Sequence, residues 1–213
     1  MRKWISAICI ILGVACLLAA AGFVVYNRWE AKNAGETTQS LLENVQLGIE
    51  EQKTNQPSWH EDGDPNGAQS EVHPEDLHPP AQMATIQVDG YDCIGILSVP
   101  VLDLELPVLA EWSYAKLKKA PCHYYGTYYE KDFVIAAHNY EAHFGRLSQL
   151  QAGDVVIFTD ATGADHCYAV VLLETLPKEA TREMITSGFD LSLYTCTPGG
   201  ASRVTVRCNA MDQ

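Results

Sequence analysis

The sequence predicts a mainly β domain, a closed barrel of seven to eight strands with a few short helices, preceded by one N-terminal transmembrane helix. Three observations support this fold class. The chain opens with a long uncharged run, its middle is acidic and poor in branched apolar residues, and residues 91–213 alternate short apolar runs with Pro, Gly and Asp. Closure is favoured because a barrel leaves no exposed strand edge.

A membrane anchor is predicted by the 23 residues from Trp4 to Tyr26, none of which carries a charge. As a helix rising ~1.5 Å per residue, this run extends about 34 Å, which is enough to cross a hydrocarbon core of ~30 Å. Arg2 and Lys3 precede the run and favour a cytoplasmic N-terminus, with the rest of the chain outside the cell. A cleaved signal peptide is the alternative, because Ala19 to Gly22 are small enough for cleavage, and it also exports the domain.

Residues 33–90 are predicted to be an acidic spacer between the anchor segment, 1–32, and a folded domain, 91–213. The spacer has eleven acidic side chains against Lys53 alone and contributes most of the net charge of −13. No nucleic-acid partner is expected, because affinity for a phosphate backbone depends on clustered Lys and Arg.

The spacer has two parts. A short amphipathic helix is predicted from apolar residues at helical spacing, and it either packs on the domain or stands as a stalk. These residues are Leu41, Leu42, Val45 and Ile49. From Thr54 to Gln82 the composition indicates a flexible linker. Its histidines are irregularly spaced, which favours solvated side chains over a metal site. They are His60, His73 and His78.

Seven short apolar or alternating runs in the last segment predict strands. They are Ile94 to Val99, Leu104 to Leu109, Phe133 to His138, Val155 to Thr159, His166 to Thr175, Leu191 to Cys196 and Arg203 to Cys208. Two short helices are also predicted, one over Tyr114 to Lys119 with Ser113 as N-cap and one over Arg182 to Thr186 with Thr181 as N-cap.

The last two strands form a predicted hairpin whose turn is residues 197–202. Partners across this hairpin have position numbers that sum to 399, so Cys196 lies opposite Arg203 on the polar face. Arg207 pairs with Ser192, ~13 Å along the strand from the thiol at ~3.3 Å per residue. Arg203 is therefore the arginine expected to share chemistry with Cys196.

A reactive thiol is suggested by the cysteine count. Five cysteines lie outside the anchor, and an odd number leaves at least one without an internal partner. They are Cys93, Cys122, Cys167, Cys196 and Cys208. A thiolate is stabilised by a neighbouring cation, which Arg203 supplies, and acid–base catalysis needs a histidine. His138, at the end of an apolar strand, is the best placed, whereas His123, His143 and His166 are expected at the surface. From spacing alone, a buried, inert Cys196 is as good an interpretation as a catalytic one.

The residues around these three positions resemble the sortase family. Leu193 to Cys196 is similar to the Thr-Cys strand end of sortases, and Arg203 stands where the family places its arginine. Val134 to Asn139 resembles the strand that bears the sortase histidine, and Phe144 to Leu147 the segment after it. Ile94 to Pro100 and Leu106 to Val108 look like the first barrel strands. The resemblance covers about residues 91–209, and the short loop to Arg203 looks closest to class B.

The resemblance implies a cysteine transpeptidase without metal or organic cofactor. Cys196 would be the nucleophile, His138 the acid and base, and Arg203 the group that holds the substrate carbonyl or oxyanion, while Thr195 and Asn139 are candidate substrate-binding residues. The implied partners are surface proteins with a C-terminal sorting motif and an amine of a cell-wall precursor or a pilin lysine. The implied location is the outer face of a Gram-positive membrane.

Two other function classes stay open at this point. Another exported cysteine peptidase or transpeptidase of the cell wall would use the same residue types, although papain-like enzymes usually place the cysteine before the histidine. A tethered, non-catalytic β-barrel binding module would leave the thiol merely buried. Thiol reactivity separates an enzyme from a binding module, because a catalytic Cys196 is expected to react faster with thiol reagents than the other cysteines.

Overall fold

The computed structural model describes residues 2–55 and 83–211, with side chains described over 10–54 and 83–211. Helix α1 spans Arg2–Asn55 and is followed, after residues 56–82, by the barrel domain. The predicted linker from Thr54 to Gln82 lies outside the described residues except for its first two positions. So do its three histidines, His60, His73 and His78.

Within residues 83–211, and apart from two 3-10 helices at Pro100–Leu102 and Leu147–Gln149, nine strands and two short α-helices follow α1. They are β1 (Ile86–Val88), β2 (Tyr91–Val99), β3 (Leu104–Leu109), α2 (Tyr114–Leu117), β4 (Cys122–Tyr125), β5 (Phe133–Ala136), β6 (Val155–Asp160), β7 (Asp165–Pro177), α3 (Thr181–Ile185), β8 (Leu191–Cys196) and β9 (Ser202–Ala210). Strands β2-β3-β4-β5-β8-β9-β7-β6 pair in that order, and β6 returns to β2. The predicted closed barrel is confirmed, with β1 added as a hairpin arm on β2.

Barrel closure depends on a close approach of β2 to β6 at Gly95. This residue pairs with Asp160, lies beside a bulge in β2 and has a φ of 151°. A Cβ atom there would overlap the carbonyl oxygen of Thr159. Glycine is therefore needed at this position, because any side chain would force the two strands apart.

Two apolar clusters lie on opposite sides of the barrel wall. The interior cluster includes Phe133, Phe158, Leu191, Leu193 and Val206, all fully buried. The outer cluster lies between the wall and the helices, and its barrel residues include Cys93, Ile96, Leu109, Cys122 and Tyr194. Period-two counting correctly separated Leu191 and Leu193 from Tyr194.

The amphipathic part of α1 packs on the barrel and completes the outer cluster. Leu41, Leu42, Val45 and Ile49 are buried in that cluster, with Val45 fully inaccessible. The sequence predicted a short helix separate from the anchor, but one continuous helix runs from the apolar run into the packed part. Nothing between Tyr26 and Leu41 breaks it, because this stretch has no proline and only one glycine, Gly35.

Other element predictions differ from the structure in detail. Strands β1 and β4 were not predicted, because β1 has three residues and β4 (Cys-His-Tyr-Tyr) lacks an alternating apolar pattern. Ser113 caps α2 as predicted, accepting a hydrogen bond from the amide of Lys116. Thr181 is not the N-cap of α3 but its first helical residue, and Ala180 holds the cap position without a side-chain bond.

Candidate active site

The candidate site lies where strands β5, β8 and β9 end or begin together. Strands β5 and β8 run parallel, with Ala136 paired to Tyr194. Beyond the strands, the amide of Ala137 donates to the carbonyl of Tyr194 over 3.2 Å. His138, two residues beyond Ala136, therefore lies at the same end of the barrel as Cys196, two residues beyond Tyr194.

The third predicted residue joins them across the hairpin. Strands β8 and β9 are antiparallel, and their register pairs Cys196 with Arg203 and Ser192 with Arg207. The predicted sum of 399 is therefore correct at every pair. A turn bond closes the hairpin just beyond the site, from the amide of Thr197 to the carbonyl of Ser202 over 2.9 Å.

Cys196 differs from the other described cysteines of the barrel in exposure. Its side chain is exposed at the end of β8, whereas Cys93, Cys122 and Cys208 are buried and Cys167 is intermediate. Burial raises the pKa of each of these three buried thiols to about 12, so they stay protonated and inert. All of these thiols are free. Among them, Cys196 has the access that a nucleophile requires.

The imidazole of His138 is held neutral and in place by its surroundings. Burial lowers its pKa, Lys118 lowers it further, and Glu30 of α1 opposes this effect. The ring stacks on Tyr140 with 4.8 Å between ring centroids. Its Nε2 atom is buried and finds no hydrogen-bond partner within the described parts of the chain. An unpartnered ring nitrogen of a neutral histidine is free to exchange a proton with a substrate or a thiol.

The loop that follows His138 is tightly folded. The amide of Phe144 donates to the carbonyl of His138 over 3.1 Å, and the amide of Gly145 donates to that of Tyr140 over 2.9 Å. A Cβ atom on Gly145 would lie 2.7 Å from the carbonyl oxygens of Asn139 and Tyr140. Gly145 thus allows the close turn that holds the His138 backbone.

The guanidinium of Arg203 lies over an aromatic ring and keeps a free donor. Its Cζ atom is 5.2 Å from the centroid of the Tyr194 ring, a cation–π distance. Its Nη1 atom is buried without a hydrogen-bond partner in the described residues. Stacking fixes the plane of the guanidinium, so this donor is pre-oriented for an acceptor that residues 2–55 and 83–211 do not provide.

The two predicted substrate-binding residues occupy different settings. Asn139 is exposed directly after His138. Thr195 is buried, and its hydroxyl donates to the carbonyl of Ala137 over 2.9 Å. The Thr195 side chain therefore ties β8 to the segment that carries His138.

His143 was expected at the surface, and this expectation is wrong. Its side chain is fully buried, because α1 packs over it and the hydroxyl of Thr38 lies 2.7 Å from its Nε2 atom. Burial, with a smaller effect of His138, lowers the pKa of His143 to about 4. Its ring also lies 5.4 Å from that of Tyr140, which stacks on His138.

The sequence does not predict this support, because an apolar helix face does not show what it packs against. Three contacts join α1 to the region around His138. Thr38 contacts His143, Glu30 forms a 2.6 Å ion pair with Lys118, and Gly35 lies against Ala142. Residues of α1 thus support the loop that carries His138. In the part of the chain that the structure describes, no three His, Cys, Asp or Glu side chains converge in a way that could hold a metal ion.

Comparison with known proteins agrees with this architecture. The model of the sortase domain matches residues 97–211, more than half of the chain. The eight-stranded closed barrel lies within the matched part of the chain. The chain is a member of the sortase family. No curated protein matches the chain in sequence.

Solved sortase structures share the fold. Sortase A from Corynebacterium diphtheriae is 23% identical, with a TM-score of 0.52 over 58% of this chain and 62% of that protein. Group B Streptococcus Pilus Island 1 sortase C2 is 25% identical, with a TM-score of 0.51 over 59% and 77%. Sortase C from Clostridium perfringens SM101 is 21% identical, with a TM-score of 0.50 over 84% and 91%. These neighbours are of types A and C, and the likeness to class B stays a prediction.

Proposed function

We propose that this chain is a membrane-anchored cysteine transpeptidase that cleaves a C-terminal sorting motif and joins the new carboxyl end to an amine. The observation that carries the proposal is the convergence of three strand ends. They place Cys196 in register with Arg203 and bring His138 to the same end of the barrel. An exposed thiol, a neutral imidazole with an unpartnered nitrogen and a free guanidinium donor are the groups that acyl transfer requires.

In the first half of the reaction, the Cys196 sulfur attacks the carbonyl carbon of the scissile amide bond. The thiol proton passes to His138, and a tetrahedral intermediate forms. When that intermediate collapses, the C–N bond breaks and His138 gives the proton to the departing amine. A thioester between Cys196 and the sorting motif remains. The lowered pKa of His138 favours this role, since the neutral imidazole accepts the thiol proton.

In the second half, an acceptor amine attacks the thioester carbonyl. His138 removes the amine proton, the C–S bond breaks, and the proton returns to the Cys196 sulfur. The product is a new amide, and the enzyme regains its resting state. Water in place of the amine gives hydrolysis. The proposed acceptors are an amine of a cell-wall precursor or a pilin lysine.

Arg203 is proposed to hold the substrate carbonyl and its developing oxyanion. The position across the hairpin from Cys196 and the unpartnered Nη1 atom support this role. A charged donor in such a position stabilises the transition state more than the ground state, because the oxygen gains charge as the thiol attacks. Asn139, exposed next to His138, is proposed to contact substrate. For Thr195, the backbone is the part available to substrate, since its hydroxyl bonds Ala137.

The proposed location is the cell membrane of a Gram-positive bacterium. Helix α1 is long and apolar enough to cross a bilayer, by length and composition. A single pass with a cytoplasmic N-terminus places the barrel outside the cell, where surface proteins and cell-wall precursors occur. No nucleic-acid partner is proposed, given the net charge of −13.

Transpeptidation with an added amine tests the proposal. The full chain in detergent is incubated with candidate sorting peptides and an amine nucleophile, and products are identified by mass spectrometry. We expect a product that joins peptide and amine, absent for Cys196→Ala and His138→Ala. Cys167→Ala is the matched control, since Cys167 is also partly accessible but lies at the opposite end of the barrel, and it should retain activity. A product of unchanged amount from Cys196→Ala would overturn the proposal.

A further inference from the structure

A pocket with three basic side chains lies between α1 and the loop that follows His138. Arg28 and Lys32 come from the helix and Arg146 from the loop, and Ala31, Glu141 and Ala142 complete the lining. We propose that this pocket binds the phosphate of an anionic phospholipid headgroup and so holds the catalytic end of the barrel at the membrane surface. The proposal rests on the membrane anchoring that is part of the proposed function.

The helix positions place the pocket at the outer part of the headgroup layer. The uncharged run ends at Tyr26, so Arg28 lies ~3 Å and Lys32 ~9 Å farther along the axis at ~1.5 Å per residue. A headgroup layer occupies roughly 5–8 Å on each side of the hydrocarbon core, so Arg28 lies within it and the side chain of Lys32 is long enough to reach back to it. Tyr26 and Trp29 are exposed on the same stretch, with ring centroids 6.2 Å apart. Exposed aromatic rings at the end of an apolar span are typical of the membrane–water interface.

Arg146 is the residue through which the barrel reaches this pocket. Its loop is held against the helix, because a Cβ atom at Gly35 would lie only 3.2 Å from the Cβ atom of Ala142. The Nε atom of Arg146 is buried and has no hydrogen-bond partner in the described residues. A buried donor left without a partner is costly, and a phosphate oxygen in the pocket would accept a hydrogen bond from it.

The charges around the pocket favour an anion. Lys32 forms a 3.7 Å ion pair with Glu36, but both side chains are well exposed, so the attraction is weak. Glu141 adds one carboxylate to the lining, and three basic groups outnumber it. Arg28 has no ion pair among the described residues. This concentration of positive charge contrasts with residues 91–213, where acidic side chains outnumber basic ones by fifteen to nine.

The expected consequence concerns the active site. The pocket includes residues 141, 142 and 146 of the loop that begins at His138. Glu30, which lies between Arg28 and Ala31 in α1, contributes to the field at His138. A headgroup bound here would fix the distance between the membrane and the catalytic loop. Substrates that are themselves held at the membrane would then meet the site at the correct height.

Native mass spectrometry of the full chain, released from mixed micelles of equal phosphatidylglycerol and phosphatidylcholine, tests the proposal. We expect the protein to retain phosphatidylglycerol preferentially. Arg146→Gln should reduce that preference about fivefold, the factor that corresponds to ~1 kcal/mol for one basic residue at a charged surface. Arg182→Gln, the same change at an exposed arginine of α3, should leave the preference unchanged.

The Arg146 variant is the decisive one, because Arg146 belongs to the barrel whereas Arg28 and Lys32 belong to the helix. General attraction of anionic lipid to the end of a transmembrane helix needs only Arg28 and Lys32. An Arg146→Gln protein with the wild-type preference would therefore overturn the proposal, as would an equal loss in Arg182→Gln. Displacement of the lipid by millimolar inorganic phosphate would overturn it too, since the ligand would then be a free anion. If the Arg146→Gln protein does not fold, Arg146→Lys and Arg28→Gln are measured instead. An unchanged preference for phosphatidylglycerol in both of these variants would contradict the proposal.

Lipid retention requires no turnover and can be measured on Cys196→Ala protein. A failure of the lipid experiment is therefore distinguishable from a failure of the proposed function. Loss of lipid preference would leave thioester chemistry intact, and the absence of a thioester would leave the lipid result intact.

Discussion

The hydroxyl of Thr38, on the N-terminal helix, lies 2.7 Å from Nε2 of His143, in the loop that carries His138. The two residues are 105 positions apart in sequence, and both are buried. Tyr140 links His143 to His138 through two ring contacts. Helix α1 is therefore part of the support of the candidate active site, which leads to the first two predictions.

Thr38→Val should lower both stability and turnover. The change preserves shape but leaves the buried Nε2 atom of His143 without its partner, at a cost of about 1–3 kcal/mol in the free energy of unfolding. Because the His138 loop loses an anchor, we expect kcat to fall while KM changes little. Denaturant unfolding and peptide kinetics measure the two effects. Thr37→Val is the control, since Thr37 bonds only Asn33 within the helix, and equal losses in both variants would contradict the positioning role.

A chain that starts near Asn27 should remain stable and active on peptides, whereas a chain that starts at Met83 should not. A chain that starts at Met83 keeps every proposed catalytic residue but loses α1. Each buried apolar side chain of α1, such as Leu41 or Val45, contributes about 1.5–3 kcal/mol to stability. We expect the Met83 chain to lose most of its stability and activity. Thermal unfolding of the two truncated chains measures this, and equal midpoints would show that α1 contributes nothing to the barrel.

Acid should destabilise the protein between about pH 6.5 and pH 4 through His143. In the unfolded chain this histidine takes up a proton below its ordinary pKa of 6.5, whereas burial holds its folded pKa at about 4. The unfolded state therefore binds more protons in this window, and stability falls as the pH falls, by about 3 kcal/mol in total. His138, whose pKa is also lowered, acts in the same direction.

His143→Gln isolates this effect, because glutamine is neutral at every pH in the window. The variant should be less stable than the wild type at pH 7 but should show a shallower loss toward pH 4. Denaturant unfolding at several pH values supplies both curves. Parallel curves for the two proteins would show that His143 is not the group that titrates.

Substitution of lysine for each of the two hairpin arginines should affect different properties, stability for Arg207 and turnover for Arg203. Arg207 is 1% exposed and donates to Glu174, Ser192 and the carbonyl of Glu183, each over 2.8 Å. Arg207→Lys cannot reproduce these bonds and should reduce stability by about 2 kcal/mol or more. Arg203→Lys should retain stability but lower turnover on the order of a hundredfold, because an ammonium does not replace the oriented guanidinium. Melting temperature and turnover per folded molecule are measured in parallel, and a larger loss of turnover in Arg207→Lys would contradict the assignment of Arg203.

The hairpin was predictable because its determinants are local. Alternation along β8 and β9 and the short turn between them were sufficient to pair Cys196 with Arg203, as the structure confirms. The same counting assigned Ser192 and Arg207 to a polar face, but it could not show what covers that face. In the structure Arg207 is buried there, and its guanidinium donates hydrogen bonds to the backbone of α3 and to the carboxylate of Glu174.

The support from α1 was not predictable for a different reason. A helical pattern of Leu41, Leu42, Val45 and Ile49 indicates an apolar face but does not identify its partner. The contact between Thr38 and His143 joins segments that are distant in the chain, and neither residue carries a local signal of burial. Histidine in a loop next to acidic and aromatic residues favours the surface until an element is known to cover it.

The most direct measurement of the central claim is the intact mass of the enzyme after brief incubation with a sorting peptide and no added amine. We expect a mass increase equal to the acyl part of the peptide, mapped by digestion to Cys196 and released by hydroxylamine. The adduct should be absent in Cys196→Ala and present in Cys167→Ala. An acyl adduct on another cysteine, or one that persists in Cys196→Ala, would contradict the assignment of Cys196 as the nucleophile.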